Sequence, residues 1–211
     1  MNITVFLGAP GSGKGTQAKR LSQNKGFRHF STGDMLRAAI QAGTEVGKRA
    51  KGFMDRGELV PDSTMIEIIE NALSALPADA RVLLDGFPRT VPQAEALDKK
   101  SATTVNRAVY FIVPEQQLIQ RLTGRRICEK CGEPYHIDNM APKTPGICDR
   151  CGGRLMHRSD DTEEVVRRRL QVFAQQNDSL LNYYESSSKL SRLVANKPVD
   201  EIQGDLVRLL H

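Results

Sequence analysis

The chain has 211 residues, 39% of them hydrophobic and 26% charged, with a net charge of +5 and no tryptophan. That length and balance support one compact core and exclude a disordered or collagen-like chain. Aromatics at 5% argue against a base-stacking single-strand binder, and the short apolar run at the N-terminus lacks the basic flank of a signal peptide. A cytoplasmic protein is therefore expected, with partners that are polyanions or small phosphorylated molecules.

Residues 2–7, Asn-Ile-Thr-Val-Phe-Leu, predict a buried strand, and 14–24 a helix that starts inside a glycine-rich loop. A short strand at 27–30 leads into a helix that Ser31, Thr32 or Asp34 would cap. Across 31–60, Gly43, Gly47, Gly52 and Gly57 predict helical pieces broken at each glycine. An amphipathic helix follows at 62–76, then a strand, Arg81-Val-Leu-Leu-Asp85, that ends in an acid. Another strand at 108–113 precedes a helix to about 123, and a loop-rich stretch runs to about 160. Asp161 and Glu164 have capping-box spacing, which predicts a long helix over 162–185. A strand near 191–195 and a helix near 198–210 close the chain. Strands alternating with helices imply a parallel sheet covered on both faces, interrupted by insertions at 31–60 and 124–161.

The loop between the first strand and helix reads Gly8-Ala-Pro-Gly-Ser-Gly-Lys-Gly-Thr16, four glycines in nine residues. Glycine there costs chain entropy, and the return is a backbone whose N–H groups all face an anion. Gly8-x4-Gly13-Lys14 in a strand–loop–helix context is a phosphate-binding P-loop. The residue after the lysine is usually a hydroxyl that ligates Mg²⁺. Here it is Gly15, with Thr16 one place later.

Asp85 falls at a strand's C-terminal end, where open α/β sheets bind ligands, and Arg89 follows it around a turn. A plain strand-end cap is the simpler role for Asp85. On the long helix, Arg169 shares an apolar stripe with Val165 and Phe173, so its charge needs a buried anion. That anion is either a structural carboxylate or a phosphate. Arg37, Arg89, Arg125 and Arg158 flank the same insertions, and with Arg169 they exceed what one nucleotide needs. Two phosphorylated substrates meeting end to end would use them all.

Cys128-x2-Cys131 and Cys148-x2-Cys151, each pair followed by glycine, have zinc-ribbon spacing. Four thiolates close a tetrahedron, so the expected metal is structural. His136 and His157 are surplus to that site and expected at the surface. A zinc ribbon gripping nucleic acid would need a basic stripe, yet 124–161 carries seven Lys/Arg against six Asp/Glu. A nucleic-acid-dependent ATPase is accordingly the weaker alternative.

Six stretches in order, GAPGSGKGTQ, STGDMLRAA, LLDGFPRT, GRR at 124–126, RSDD at 158–161 and VRRRL at 166–170, closely resemble the adenylate kinase family, in its bacterial form with a long metal-binding lid. The resemblance implies a nucleoside-monophosphate-kinase fold with a five-stranded parallel sheet, helices on both faces and two mobile inserted segments. It divides the chain into a core (1–30, 61–123 and 162–211), an AMP-binding segment (31–60) and a lid (124–161). The implied activity is phosphoryl transfer from Mg²⁺-ATP to AMP, giving two ADP; a kinase acting on CMP, UMP or GMP is the alternative. Gly11, Ser12, Gly13, Lys14, Gly15 and Thr16 would hold ATP phosphates, with Arg125, Pro134, Tyr135 and Lys197 around the rest of ATP. AMP would meet Thr32, Arg37, Glu58, Leu59, Val60, Gly86, Phe87, Pro88, Arg89 and Gln93, with Arg158 and Arg169 at its phosphate. Lys14, Arg89, Arg125, Arg158, Arg169 and Asp85 would be the catalytic set, Asp85 orienting Mg²⁺ through water. Cys128, Cys131, Cys148 and Cys151 would hold Zn²⁺. A monomer with no nucleic-acid or membrane partner is implied. Glycines at 43–57 and Gly124 are candidate hinges.

Overall fold

A computed structural model of the chain describes residues 1–99 and 104–210. Its centre is a five-stranded parallel sheet. The strands are β1 (Asn2–Leu7), β2 (Arg28–Ser31), β3 (Arg81–Asp85), β4 (Thr104–Ile112) and, last in the chain, β8 (Leu190–Val194). Their order across the sheet is β2-β3-β1-β4-β8. Thus β1 is central: the chain leaves it toward β2 and β3, then crosses to the other side.

Alternation along the strands sorts the core into two layers. Ile3, Val5 and Leu7 of β1 and Val82 and Leu84 of β3 face one side. There they meet α4 (Asp62–Ser74), α5 (Val91–Lys99) and α7 (Glu163–Ser186) through Ile69, Leu73, Leu97 and Tyr184. Phe6, Leu83, Val109 and Phe111 face the other side, covered by α1 (Lys14–Lys25) and α8 (Val199–Leu210) through Leu21, Ile202 and Leu206. The sequence pattern missed α5, whose nine residues bury Gln93, Ala94 and Leu97; a helix this short shows little period of its own.

The two insertions stand outside this sheet. The first holds α2 (Thr32–Gln41) and α3 (Glu45–Asp55). Gly47 and Gly52 do not break α3 as expected. Gly47 is needed for contact, because a Cβ there would lie 2.2 Å from Ala39 O on α2. The second insertion follows α6 (Glu115–Thr123) and forms a small antiparallel sheet from β5 (Arg125–Cys128), β6 (Pro134–His136) and β7 (Leu155–Met156). Its own core is Cys128, Tyr135, Cys148 and Leu155. The expected capping box at α7 does not form: Thr162 is the cap, without a side-chain bond. The Asp161 carboxylate is committed to arginines instead.

Candidate active site

A cleft of about 760 Å³ opens at the C-terminal edge of the sheet, between the two insertions. That volume is in the range of small-molecule sites. On one side lies the glycine loop. Gly11 and Gly13 adopt positive φ (82° and 95°), and Gly13 is the N-cap of α1. No acidic residue occupies the first turn of α1, so its N-terminal N–H groups and dipole are left to an incoming anion. Lys14 Nζ donates to Gly8 O and Ala9 O at 2.8 Å each and to Ser12 Oγ at 3.1 Å. Burial lowers the Lys14 pKa to about 8, against an opposing pull from Asp85 and with help from Arg89, Arg169 and Arg125.

Gly15 is explained by its neighbour. A Cβ there would lie 3.2 Å from Asp85 Oδ2, so a larger residue would crowd the carboxylate that closes β3. Asp85 is 14% exposed, with His29 Nε2 at 3.9 Å. Its Oδ2 faces Gly15, in the first turn of α1. Thr16 also lines the cleft.

Opposite the loop, Ser31 caps α2 by accepting from Asp34 N, as the sequence suggested. Buried Thr32 donates from Oγ1 to Gly86 O at 2.9 Å. Arg89 Nε donates to the same carbonyl at 2.9 Å, and burial, then Arg169, lowers its pKa to about 10. Gln93 is fixed at both ends: Oε1 accepts from Arg89 N and Nε2 donates to Asp62 Oδ1. Glu58, Leu59, Val60, Gly86 and Pro88 line the cleft, with Glu58 also bonded to Arg56. Phe87 does not, its ring lying in the sheet's core at 1% exposure; the peptide bond that follows it, to Pro88, is cis.

Between these walls the arginines meet. Arg125 Nε and NH2 hold Asp161 at 2.8 and 2.6 Å. Arg169 NH1 donates to Asp160 O at 2.7 Å and Asp161 Oδ1 at 3.0 Å. Arg158 reaches from the second insertion to Asp34 Oδ1 at 3.0 Å, and Arg37 holds the same oxygen at 2.7 Å and Asp160 at 3.6 Å. Burial alone would raise the Asp34 carboxyl; Arg37, then Arg158 and Ser31, overcome it and hold it at about 2. Burial brings Arg158 down to about 10. Six cations (Lys14, Arg37, Arg89, Arg125, Arg158 and Arg169) thus face four carboxylates (Asp34, Asp85, Asp160 and Asp161). The surplus positive charge favours a polyanion.

The sequence offered Asp34 and Asp161 only as helix caps and gave none of Asp34, Asp160 and Asp161 a place at the cleft, though two of the quoted stretches contain them. It also passed over Arg121, which lines the cleft near Lys197 and donates to Ala195 O at 3.1 Å. Partial burial lowers the Arg121 pKa. Nothing in a charged position of an amphipathic helix distinguishes it from a solvated arginine. Lys197 lines the same end and pairs with Asp205. Pro134 and Tyr135 line the cleft at the second insertion, but the Tyr135 ring is buried in that insertion's core.

The four cysteine sulfurs lie within 4.8 Å of one another. Tyr135 OH donates to Cys148 Sγ at 3.5 Å, and Cys148 sits at about 6: burial raises it, but the Tyr135 hydroxyl and backbone amides prevail. Four converging thiols of this kind fit a tetrahedral soft divalent cation. His136 and His157 are not among the ligands. His136, however, is not a surface residue, as its side chain is only 11% exposed.

A parallel sheet with a P-loop at its central strand, facing a second anion site across converging arginines, defines an α/β phosphotransferase of the P-loop class. The family model for adenylate kinase matches residues 6–189. Similar curated proteins include the adenylate kinases of Carboxydothermus hydrogenoformans, 47% identical over 98% of both chains, and Methanothrix thermoacetophila, 46% identical over all of this chain and 98% of that one. That of Clostridium tetani is 45% identical over the same shares. The chain belongs to the adenylate kinase family.

Proposed function

We propose that the protein catalyses reversible phosphoryl transfer from Mg²⁺-ATP to AMP, giving two ADP. The observation that carries this reading is the single cleft with a phosphate-binding loop on one wall, Thr32, Gly86, Arg89 and Gln93 on the other, and Arg125, Arg158 and Arg169 between them. Residues Gly11 to Thr16 hold the donor phosphates, and Arg121, Arg125, Pro134, Tyr135 and Lys197 surround the rest of ATP, Tyr135 through its backbone. Thr32, Arg37, Glu58, Leu59, Val60, Gly86, Pro88, Arg89 and Gln93 receive AMP, whose phosphate meets Arg158 and Arg169.

The acceptor oxygen belongs to a phosphate that is already ionised, so no side chain has to remove a proton. The protein's work is alignment and charge stabilisation. Lys14, Arg89, Arg125, Arg158 and Arg169 neutralise charge spread over the transferring group, in a site where water no longer screens them. Asp85, with the room that Gly15 leaves it, would orient Mg²⁺, which when bound would supply further neutralisation of the phosphates. Residues 124–161 act as a lid and 31–60 as the AMP-binding segment, both moving against the core formed by 1–30, 61–123 and 162–211. Their closure excludes water from the phosphates, a behaviour for which adenylate kinases are the standing example. Cys128, Cys131, Cys148 and Cys151 would hold Zn²⁺, which would tie the lid together and take no part in transfer. No helix among the described residues is long and apolar enough to cross a membrane, and we place the enzyme in the cytoplasm as a monomer.

The test supplies ATP and Mg²⁺ with AMP, CMP, UMP or GMP in turn and follows diphosphate formation. AMP is expected to be strongly preferred. Faster use of any other monophosphate overturns the assignment of the acceptor.

A further inference from the structure

His136 lines the cleft beside Pro134 and Tyr135 and lies outside the metal set, and each nitrogen of its ring is committed to the protein's own backbone. Nε2 lies 3.1 Å from Gln120 O, in the last turn of α6. Nδ1 lies 3.1 and 3.2 Å from the backbone nitrogens of Asp138 and Asn139. A carbonyl only accepts and a backbone N–H only donates. These partners assign the donor role to Nε2 and the acceptor role to Nδ1. It ties the turn after β6 to the helix from which the second insertion springs.

The tie crosses the residue expected to be a hinge. Gly124 has φ −81°, a conformation open to any residue, so backbone freedom does not explain it. The His136 ring does: a Cβ at Gly124 would lie 2.3 Å from Nε2 and 2.5 Å from Cε1. Gly124 N also donates to Gln120 O, and Ile137 N donates to Gly124 O at 3.0 Å. Ring, carbonyl and glycine form one clasp at the foot of the insertion. The register of β5 on β6 then pairs His136 with Arg125, which enters the cleft to hold Asp161.

We propose that His136 is a positioning residue for phosphoryl transfer: its Nε2–H clasps the lid to the end of α6 and so sets where Arg125 lies over the phosphates. Gly124 is glycine to admit the ring. The inference rests on the transfer reading above, but one of its readouts is independent of activity.

Two isosteres separate the halves of the ring. Gln can present a donor where Nε2 stands, and Asn an acceptor where Nδ1 stands. In His136→Asn, amide hydrogen exchange is expected to speed up at Gly124 and Ile137 and stay slow at Asp138 and Asn139. In His136→Gln the pattern reverses. With zinc content unchanged, His136→Asn should lower kcat at least tenfold, toward the roughly hundredfold that misplacing a group by about 1 Å costs. Its KM for AMP should hold, and its ATP hydrolysis without AMP should rise relative to transfer. His136→Gln should keep kcat within about threefold of the parent, as a restored clasp requires. Equal impairment of both variants, or an unaltered kcat in His136→Asn, overturns the proposal. If His136→Asn loses zinc, Gly124→Ala decides, since it displaces the ring but leaves His136 and the four cysteines in place. An unchanged kcat there overturns the proposal equally. A parent enzyme inactive toward AMP would refute the transfer reading alone, because the exchange pattern still reports on the clasp.

Discussion

Arg169 is the residue at which the sequence posed a choice, phosphate or carboxylate, and its guanidinium in fact bonds Asp160 and Asp161. Those contacts and phosphate binding are compatible, since one NH1 serves both acids and the fork has other donors. Arg169→Ala is expected to lower kcat by 10²–10³, about 3–4 kcal/mol of barrier, as for loss of one transition-state charge partner. Its melting temperature should fall by far less than its turnover. Retained activity with collapsed stability would make Arg169 structural. Lys14 gives a pH prediction. Its folded pKa is about 8 against an ordinary 10.5. Between those values the unfolded chain carries more of this proton, so this group's contribution to stability rises with pH across that window. Bound phosphates push the pKa back up, so ATP binding at pH 8.5 should take up protons, and ATP affinity should fall as pH rises through 8. Calorimetry in two buffers of different ionisation heat measures the uptake; none at pH 8.5 would refute it. Gly15 shows why such residues were only half legible. Its departure from the usual hydroxyl was plain in the sequence, but its reason is a contact with Asp85 seventy positions away: a Cβ at Gly15 would lie 3.2 Å from Asp85 Oδ2.

Among the elements, the long ones announced themselves and the short ones did not. The strand before the glycine loop, the amphipathic α4 and the 24-residue α7 carry clear periods, and each stands within two residues of its expected bounds. The strands β5, β6 and β7 are four, three and two residues long, too short for alternation to be seen. Cysteine spacing, rather than hydrophobic pattern, marked that region. The same shortness predicts how the insertion behaves without metal. A core of Cys128, Tyr135, Cys148 and Leu155 is small, whereas structural zinc contributes roughly 10–16 kcal/mol apparent in small peptides at neutral pH. Cys148→Ser should therefore lower zinc content and melting temperature while the sheet remains folded. Part of the activity should survive at low temperature, since no metal-bound water takes part in transfer. Mass spectrometry and assays of the variant check this, and a metal-free parent protein, or a folded variant with an intact lid and no turnover, would contradict it.

At the scale of the whole molecule, the parallel sheet and its two interruptions were readable because βαβ alternation breaks at 31–60 and 124–161. What could not be read was that the interruptions touch. Asp34, on the first, accepts from Arg158, on the second, while Arg37 and Asp160 face each other across the same gap. The contact has a thermodynamic corollary. If the segments close as proposed, whatever draws one inward also presents the other with its partners, so the two ligands would share a free energy that neither has alone. Linkage makes that sharing symmetrical: the factor by which ATP tightens AMP is the factor by which AMP tightens ATP. One carboxylate held by two arginines from different parts of the chain is thus a place where the two halves of a bimolecular reaction are counted together.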